Sequence, residues 1–190
     1  MDKPAVSHEE IFAALGKTFY SVVPAQYNTY CSFTALIAQH ALRQFGIAAS
    51  VVPCQAWYAG PDGNFIVGFY RKDAPEKWEG HAICVADGWL IDAATHHFRK
   101  QLGLEIADIV CKRTFGIISN VIGRFDVNER QRIWWIQAPH ELDTRIPEEP
   151  KALVTQFGDA LACHMQAVLQ GPATAPAPIP PAATMQDTSQ

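Results

Sequence analysis

The dipeptide Asp87-Gly88 separates two apolar runs, His81 to Ala86 and Trp89 to Ala93, and it constrains the fold more than any other feature. Asp-Gly is a preferred two-residue loop of a tight β-hairpin, because both residues tolerate positive φ angles. A loop of two residues pairs Ala86 with Trp89 and sets the register of every later pair. The sequence therefore predicts an antiparallel hairpin of defined register.

This register brings His81 and Asp92 onto one face as diagonal neighbours, because residues of one parity share a face of a strand. Diagonal positions are about 7–8 Å apart, a gap that two side chains close with one hydrogen bond. The rest of the face is apolar, and burying a histidine and an aspartate there is costly unless they pair. A purely structural pair is one alternative, and an Asp92 that only caps the next turn is another. A loop of different length would move Asp92 to the other face.

Cys31 is the candidate nucleophile, since it stands at the start of a helix predicted from Ser32 to Phe45 and ended by Gly46. The start of a helix carries partial positive charge and free N–H groups, which favour a thiolate and can hold an oxyanion. For a cysteine taken alone, a buried structural role is the alternative. His40 lies nine residues along the same helix, about 900° around its axis and so on the opposite face. The better candidate base is therefore His81.

The remaining pattern predicts an α+β domain over residues 1–170. Ser7 and Glu10 form a capping box that begins a first helix ending near Phe19. Beyond the central hairpin, strands are predicted at Ile47 to Tyr58, Asn64 to Tyr70 and Arg132 to Ala138, and a last helix at Glu148 to Gln170. The predicted order is helices, an antiparallel meander and a final helix.

Two segments do not fit this periodic pattern. The stretch from Phe98 to Arg130 indicates only a short helix and long loops. Residues 171–190 are rich in Pro and Ala, a composition that cannot build a packed core. We therefore predict a disordered tail after one folded domain.

Composition limits the partners and the location of the chain. A net charge of −4 gives no support for a nucleic-acid partner, and no run approaches the roughly 18 apolar residues that span a membrane. The first residues lack the layout of a signal peptide, so a cytoplasmic location is expected. The five cysteines are scattered without a CxxC pair, which argues against a disulfide framework or a structural zinc site. No pattern bears on the oligomeric state.

Three blocks of the sequence resemble the transglutaminase-like branch of the papain-like superfamily. They are Tyr30-Cys31-Ser32, Gly80-His81-Ala82 and Gly88-Trp89-Leu90-Ile91-Asp92-Ala93, within a region from Thr29 to Thr95. The resemblance implies a papain-like α+β fold, with the nucleophile helix packed against an antiparallel sheet. The family often has a small residue or tryptophan after the nucleophile, whereas Ser32-Phe33 follows here, which leaves the substrate and the reaction open.

The resemblance also implies a function for these residues. Cys31, His81 and Asp92 would form a catalytic triad for acyl transfer or amide hydrolysis through a covalent acyl-enzyme, without cofactor or metal. The substrate would be an acyl group on a small molecule, a peptide or a protein. Papain-like enzymes often have a side-chain oxyanion donor shortly before the cysteine, and Gln26 and Asn28 are the candidates. Ordinary turn polarity is the alternative for both.

Three other functions compete with this hypothesis. A peptidoglycan-type Cys–His amidopeptidase has a similar order, but it typically begins Asp-Cys-Ser-Gly, and this chain has Tyr30-Cys31-Ser32-Phe33. A binding module could keep the fold and lack the chemistry. A metal site could use His81, Asp92, His96 and His97, although their spacing fits no standard zinc pattern.

Overall fold

The structure is a computed structural model of the 190-residue chain, and it describes residues 6–61, 63–68, 80–114, 120–138 and 145–171. In chain order the elements are α1 (His8–Val22), a 3₁₀ turn (Ala25–Tyr27), α2 (Cys31–Gln44), β1 (Ala49–Gly60), β2 (Gly63–Val67), β3 (His81–Ala86), β4 (Trp89–Asp92), α3 (His96–Leu102), β5 (Val110–Arg113), β6 (Val121–Asn128), β7 (Gln131–Gln137) and α4 (Lys151–Gln170). The predicted α+β class is confirmed.

The first helix begins where its capping box predicts. The Glu10 N–H donates to Ser7 Oγ at 3.3 Å, and the Ser7 N–H donates to Glu10 Oε2 at 2.8 Å. These two bonds satisfy donors that the start of a helix leaves free. The helix extends past the predicted end to Val22.

The described strands form one antiparallel sheet in the order β5-β4-β3-β1-β7-β6, with β2 also paired to β1. The predicted meander is wrong, because β3 pairs with β1 rather than with β2. β1 has 12 residues and β2 only five, so β2 covers the half from Ala56 to Gly60 and β3 covers the half from Ala49 to Cys54. β5 and β6 approach each other, so the sheet is nearly closed.

The region from Phe98 to Arg130 contains the predicted short helix, α3, but the prediction of long loops is wrong. β5 and β6 lie there and form the two ends of the strand order. β5 has only four residues, too few for a pattern to be recognised, and the alternation along β6 is interrupted by Gly123. The last helix begins at Lys151, after Pro150, rather than at Glu148.

Two hydrophobic cores lie on opposite faces of the sheet. One is formed between the sheet and α1, α2 and α4, and its largest members are Phe12, Leu15, Phe19, Ile37, Leu42, Ile91 and Leu161. The other lies on the inner side of the curled sheet and includes Ile83, Leu90, Phe98, Ile133 and Trp135. The helices contact β1, β3, β4 and β5.

The sequence of β7 is apolar on both faces, which predicts a strand buried on both sides, and this is only half correct. Ile133 and Trp135 are buried, whereas Trp134 and Ile136 on the other face are half-buried. The helices cover the other end of the sheet, so the outer face of β7 keeps contact with solvent.

Even α4, at 20 residues the longest helix in the described part of the chain, lacks the apolar run that a membrane crossing requires. The predicted tail, residues 171–190, lies outside the described residues apart from Gly171, which ends α4.

Candidate active site

The hairpin between β3 and β4 has the predicted register. Asp87 and Gly88 adopt φ angles of 46° and 73°, as a two-residue loop of the preferred kind requires. Ala86 pairs with Trp89, and the ladder continues along both strands without a shift. The prediction that His81 and Asp92 share one face of the hairpin, which depended on this loop, is therefore confirmed.

His81 and Asp92 form the predicted hydrogen bond, with His81 Nε2 2.7 Å from Asp92 Oδ2. Both residues have an exposed fraction of 0%. The carboxylate accepts two further bonds, one to Oδ1 from the Ala94 N–H at 2.9 Å and one to Oδ2 from the Trp135 Nε1–H at 2.7 Å. Burial would raise the pKa of Asp92, but the charge and hydrogen bond of His81, with the donors of Ala94 and Trp135, lower it. Asp92 is therefore a buried carboxylate held in its ionised form.

The His81 ring has one satisfied and one unsatisfied nitrogen. Burial alone would lower its pKa, but the charge and hydrogen bond of Asp92, with a smaller contribution from Cys31, raise the pKa to about 10. The ring is thus protonated at neutral pH, and both nitrogens are donors. Nδ1 is buried and has no hydrogen bond of normal geometry to any described residue. Buried donors in native proteins nearly always have a partner, so Nδ1 has a donor left for a neighbouring or bound acceptor.

Cys31 is the first residue of α2 and lies beside this histidine. Cys31 is 6% exposed and packs on Ala82 and Ala94. Ala82 directly follows His81 in the chain, and Ala94 lies two residues after Asp92. The Sγ atom of Cys31 is 3.8 Å from the carbonyl oxygen of Gly80, which immediately precedes His81. The structure therefore brings all three predicted residues together, with Cys31 close enough to His81 to contribute to the raised pKa of its ring.

The start of α2 has no side-chain cap, in contrast to α1. Tyr30 occupies the N-cap position without a side-chain hydrogen bond to the helix. The hydroxyl of Ser32, in the first turn, donates to Glu149 in the segment before α4. The free N–H groups of the first turn are consequently available to an anion at Cys31.

The other cysteines differ from Cys31 in their environments, and all five are free thiols. Burial raises the pKa of Cys54 well above its ordinary value, and burial raises the pKa of Cys84 and of Cys111 to about 12. These three thiols stay protonated at neutral pH. Cys163 is exposed on α4. In a labelling experiment, Cys163 is therefore the thiol whose reaction has to be separated from that of Cys31.

The two oxyanion candidates lie just before the nucleophile but apart from the triad contacts. Gln26 is exposed on the 3₁₀ turn, and Asn28 is half-buried at its end. Within the described part of the chain, neither side chain hydrogen-bonds to Cys31, His81 or Asp92. Their assignment as oxyanion donors stays a prediction.

The alternative of a metal site is not supported by the geometry. Among the described residues, no group of three or more His, Cys, Asp and Glu side chains is arranged to hold a metal ion. His81 uses Nε2 for Asp92, and His97 directs Nε2 to the carbonyl oxygen of Thr29 at 2.7 Å. The Nε2 atoms of two of the four proposed ligands are therefore already hydrogen-bonded.

Three residues have contacts at the site that were not predicted from sequence, although His97 was considered as a metal ligand. Trp135 donates to Asp92, and His97 lies with its ring centroid 6.4 Å from that of His81. Gly68, at a φ of 91°, approaches so closely that a Cβ atom there would be 2.9 Å from both the backbone nitrogen and the Cβ of His81. Gly68 thus allows the chain after β2 to pass beside His81.

Replacing Trp135 with phenylalanine is expected to lower the free energy of unfolding by about 1.5 kcal/mol, because Asp92 loses a hydrogen bond to a charged acceptor. Urea unfolding followed by circular dichroism measures this change. Trp134→Phe is the matched control, since Trp134 is the neighbouring half-buried residue on the opposite face. Equal effects of the two substitutions would contradict a specific role for the Trp135 N–H.

Neither a protein-family model nor a curated protein matches this chain. A solved structure described as "The crystal structure of genomics APC5867" is similar over 85% of this chain and 82% of that chain, with 14% sequence identity and a TM-score of 0.46. A similarity at that TM-score carries no conclusion about this chain. What the site can do is therefore inferred from its own residues.

Proposed function

We propose that this chain is a thiol-dependent acyltransferase or amide hydrolase with a papain-like, transglutaminase-like fold. In this proposal Cys31 is the nucleophile, His81 the acid and base, and Asp92 the carboxylate that orients the ring. One observation carries the proposal. A fully buried His81–Asp92 pair leaves ring nitrogen Nδ1 without a hydrogen bond, beside a thiol at an uncapped helix start.

The charge on His81 supports a thiolate partner. A protonated ring whose Nδ1–H is buried needs an acceptor, and leaving it without one is costly. The Cys31 thiolate would supply both the acceptor and the opposite charge, in the position from which it raises the pKa of His81. An inactive binding module would gain nothing from a buried donor that no structural group satisfies.

The proposed reaction begins when Cys31 Sγ attacks the acyl carbon of an amide. The carbonyl oxygen gains the negative charge, which free N–H groups of the first turn of α2 can bind. As the C–N bond breaks, His81 Nδ1–H donates its proton to the leaving amine, and a thioester to Cys31 is formed. Water or another nucleophile then gives a proton to Nδ1 and attacks the thioester, which releases the Cys31 thiolate.

Asp92 would act through its hydrogen bond to Nε2. This bond keeps Nε2 protonated and turns Nδ1 towards Cys31, as the carboxylate of a triad does. The donors from Ala94 and Trp135 keep Asp92 in place and charged. The site needs a free thiol, so the proposal includes a reducing compartment such as the cytoplasm.

Alkylation by iodoacetamide tests this proposal. A Cys163→Ser chain serves as parent, because Cys163 is the exposed thiol that would give background. Cys31 is expected to react readily at pH 6.5, and His81→Gln should slow this reaction at least about tenfold, since the thiolate loses its cationic partner. Mass spectrometry of the peptide that contains Cys31 gives the rate.

His40→Gln is the matched control, because His40 pairs with Asp159 of α4 at 2.8 Å and is expected to leave the rate unchanged. Incubation with p-nitrophenyl acetate extends the test to acyl chemistry. It should leave a hydroxylamine-sensitive acyl group on Cys31 in the parent and none in the His81→Gln variant. If Cys31 reacts at the same rate in both, the proposed function is wrong and a binding module is favoured.

A further inference from the structure

His97 connects the triad to the turn that precedes the nucleophile. Its Nε2 atom lies 2.7 Å from the carbonyl oxygen of Thr29, two residues before Cys31. A carbonyl oxygen only accepts, so Nε2 carries the proton and donates it. The half-buried ring also stands edge-on to the ring of His81, with an interplanar angle of 81°.

The turn that His97 holds has local backbone hydrogen bonds, and its Tyr27 ring packs on Phe33 and Phe157, but the hydrogen bond of His97 is the one that links it to the triad. Tyr30, the N-cap residue of α2, provides no side-chain cap. Its backbone is bonded within the same local segment, to the carbonyl of Tyr27 at 2.9 Å and from the N–H of Thr34 at 2.9 Å. The His97 N–H reaches this turn from a different element, α3, and so ties it to the rest of the site.

Asp92, the last residue of β4, and His97, the second residue of α3, are joined by one short connection. The N–H of Ala94 within this connection is bonded to Asp92. A single stretch of six residues, 92–97, therefore holds the His81 ring at one end and the turn before Cys31 at the other. The position of the thiol relative to the ring depends on both ends.

The charge state of His97 suits this arrangement. Burial lowers its pKa, and so does the positive charge of His81, with a smaller effect of His96 in the same direction, whereas the Thr29 carbonyl and Asp92 oppose the shift. His97 is consequently neutral at neutral pH with its proton on Nε2. It holds Thr29 without adding a second cation beside His81 or competing for Asp92.

We propose that His97 is a positioning residue of the thiol site, which holds the Thr29 carbonyl so that Cys31 and the free N–H groups of α2 face His81. This inference rests on the proposed function. It assigns His97 no contact with the substrate and no part in proton transfer.

Two variants at this position separate the hydrogen bond from packing, in the Cys163→Ser parent. His97→Gln keeps an N–H donor at a reach similar to that of Nε2, and it should alkylate Cys31 within about threefold of the parent. His97→Phe keeps the ring and removes the donor. It should slow alkylation at pH 6.5 about tenfold. The pH at which the alkylation rate is half-maximal should rise by about one unit, a shift of the size that loss of one hydrogen bond produces.

A purely structural role would lower thermal stability and leave the pH midpoint unchanged, and that result in a folded His97→Phe variant would overturn the inference. If His97→Phe does not fold, His97→Asn replaces it, because the shorter amide cannot reach Thr29, and the same outcomes apply. His96→Gln is the control for a change in α3 alone. Failure of the proposed function shows separately, as equal rates in the parent and in His81→Gln, and it would overturn both proposals.

Discussion

Asp92→Ala is expected to lower the free energy of unfolding by about 3–5 kcal/mol, because it breaks a buried ion pair and leaves the donors of His81, Ala94 and Trp135 without their acceptor. Asp92 and His81 are both 0% exposed, so water cannot replace the lost carboxylate. The substitution also removes the acceptor of the Trp135 N–H and of the Ala94 N–H. Stability of a typical domain is about 5–15 kcal/mol, so this single change would remove a large share of it.

Urea unfolding of the parent and of Asp92→Ala measures the loss. Asp92→Asn is the matched control, since its side chain has the same size and keeps one oxygen for either Trp135 or Ala94, which donate to different carboxylate oxygens, while the charge is lost. It should cost less than the alanine variant. Combining Asp92→Asn with His81→Gln removes both charges and should be more stable than Asp92→Ala. A loss below about 1 kcal/mol for Asp92→Ala would show that the pair contributes little.

The second large effect is a dependence of stability on pH that is set by His81. Burial would lower its pKa, but Asp92 raises the pKa to about 10 in the folded chain, above the ordinary value of 6.5. Because the folded value is the higher one, the folded state binds this proton more tightly. The stabilisation is complete below pH 6.5 and is lost as the pH rises towards 10. In a Cys31→Ser variant, no thiol beside the ring exchanges protons with it. Its stability should fall by about 2 kcal/mol between pH 6.5 and 8.

This decrease is measured by urea unfolding of the Cys31→Ser variant at several pH values. The control adds His81→Gln and Asp92→Asn to the same chain, so that the site no longer titrates. Other histidines contribute to both chains and cancel in the difference. The control is expected to show a smaller decrease over this range. Parallel curves would mean that folding does not raise the pKa of His81.

Much of the candidate site could be predicted because its first elements are local. The loop Asp87-Gly88 determines the register of its own hairpin, and strand parity then places His81 and Asp92 on one face. Cys31 stands at a helix start that follows from the apolar spacing of α2. The predicted contact between His81 and Asp92 joins residues only 11 positions apart in the sequence.

The other contacts depend on how distant elements assemble. Trp135 is 43 residues from Asp92, and it reaches the carboxylate because β7 pairs with β1 across the sheet. His97 is 68 residues from Thr29, and they meet because the first turn of α3 lies beside the turn that precedes α2. The sequence by itself determined the His81–Asp92 hairpin and the position of Cys31, since turn chemistry and periodicity act over a few residues. Only the tertiary structure decided that Cys31 lies beside His81 and that Trp135 and His97 support them, because strand order and helix packing depend on the whole core.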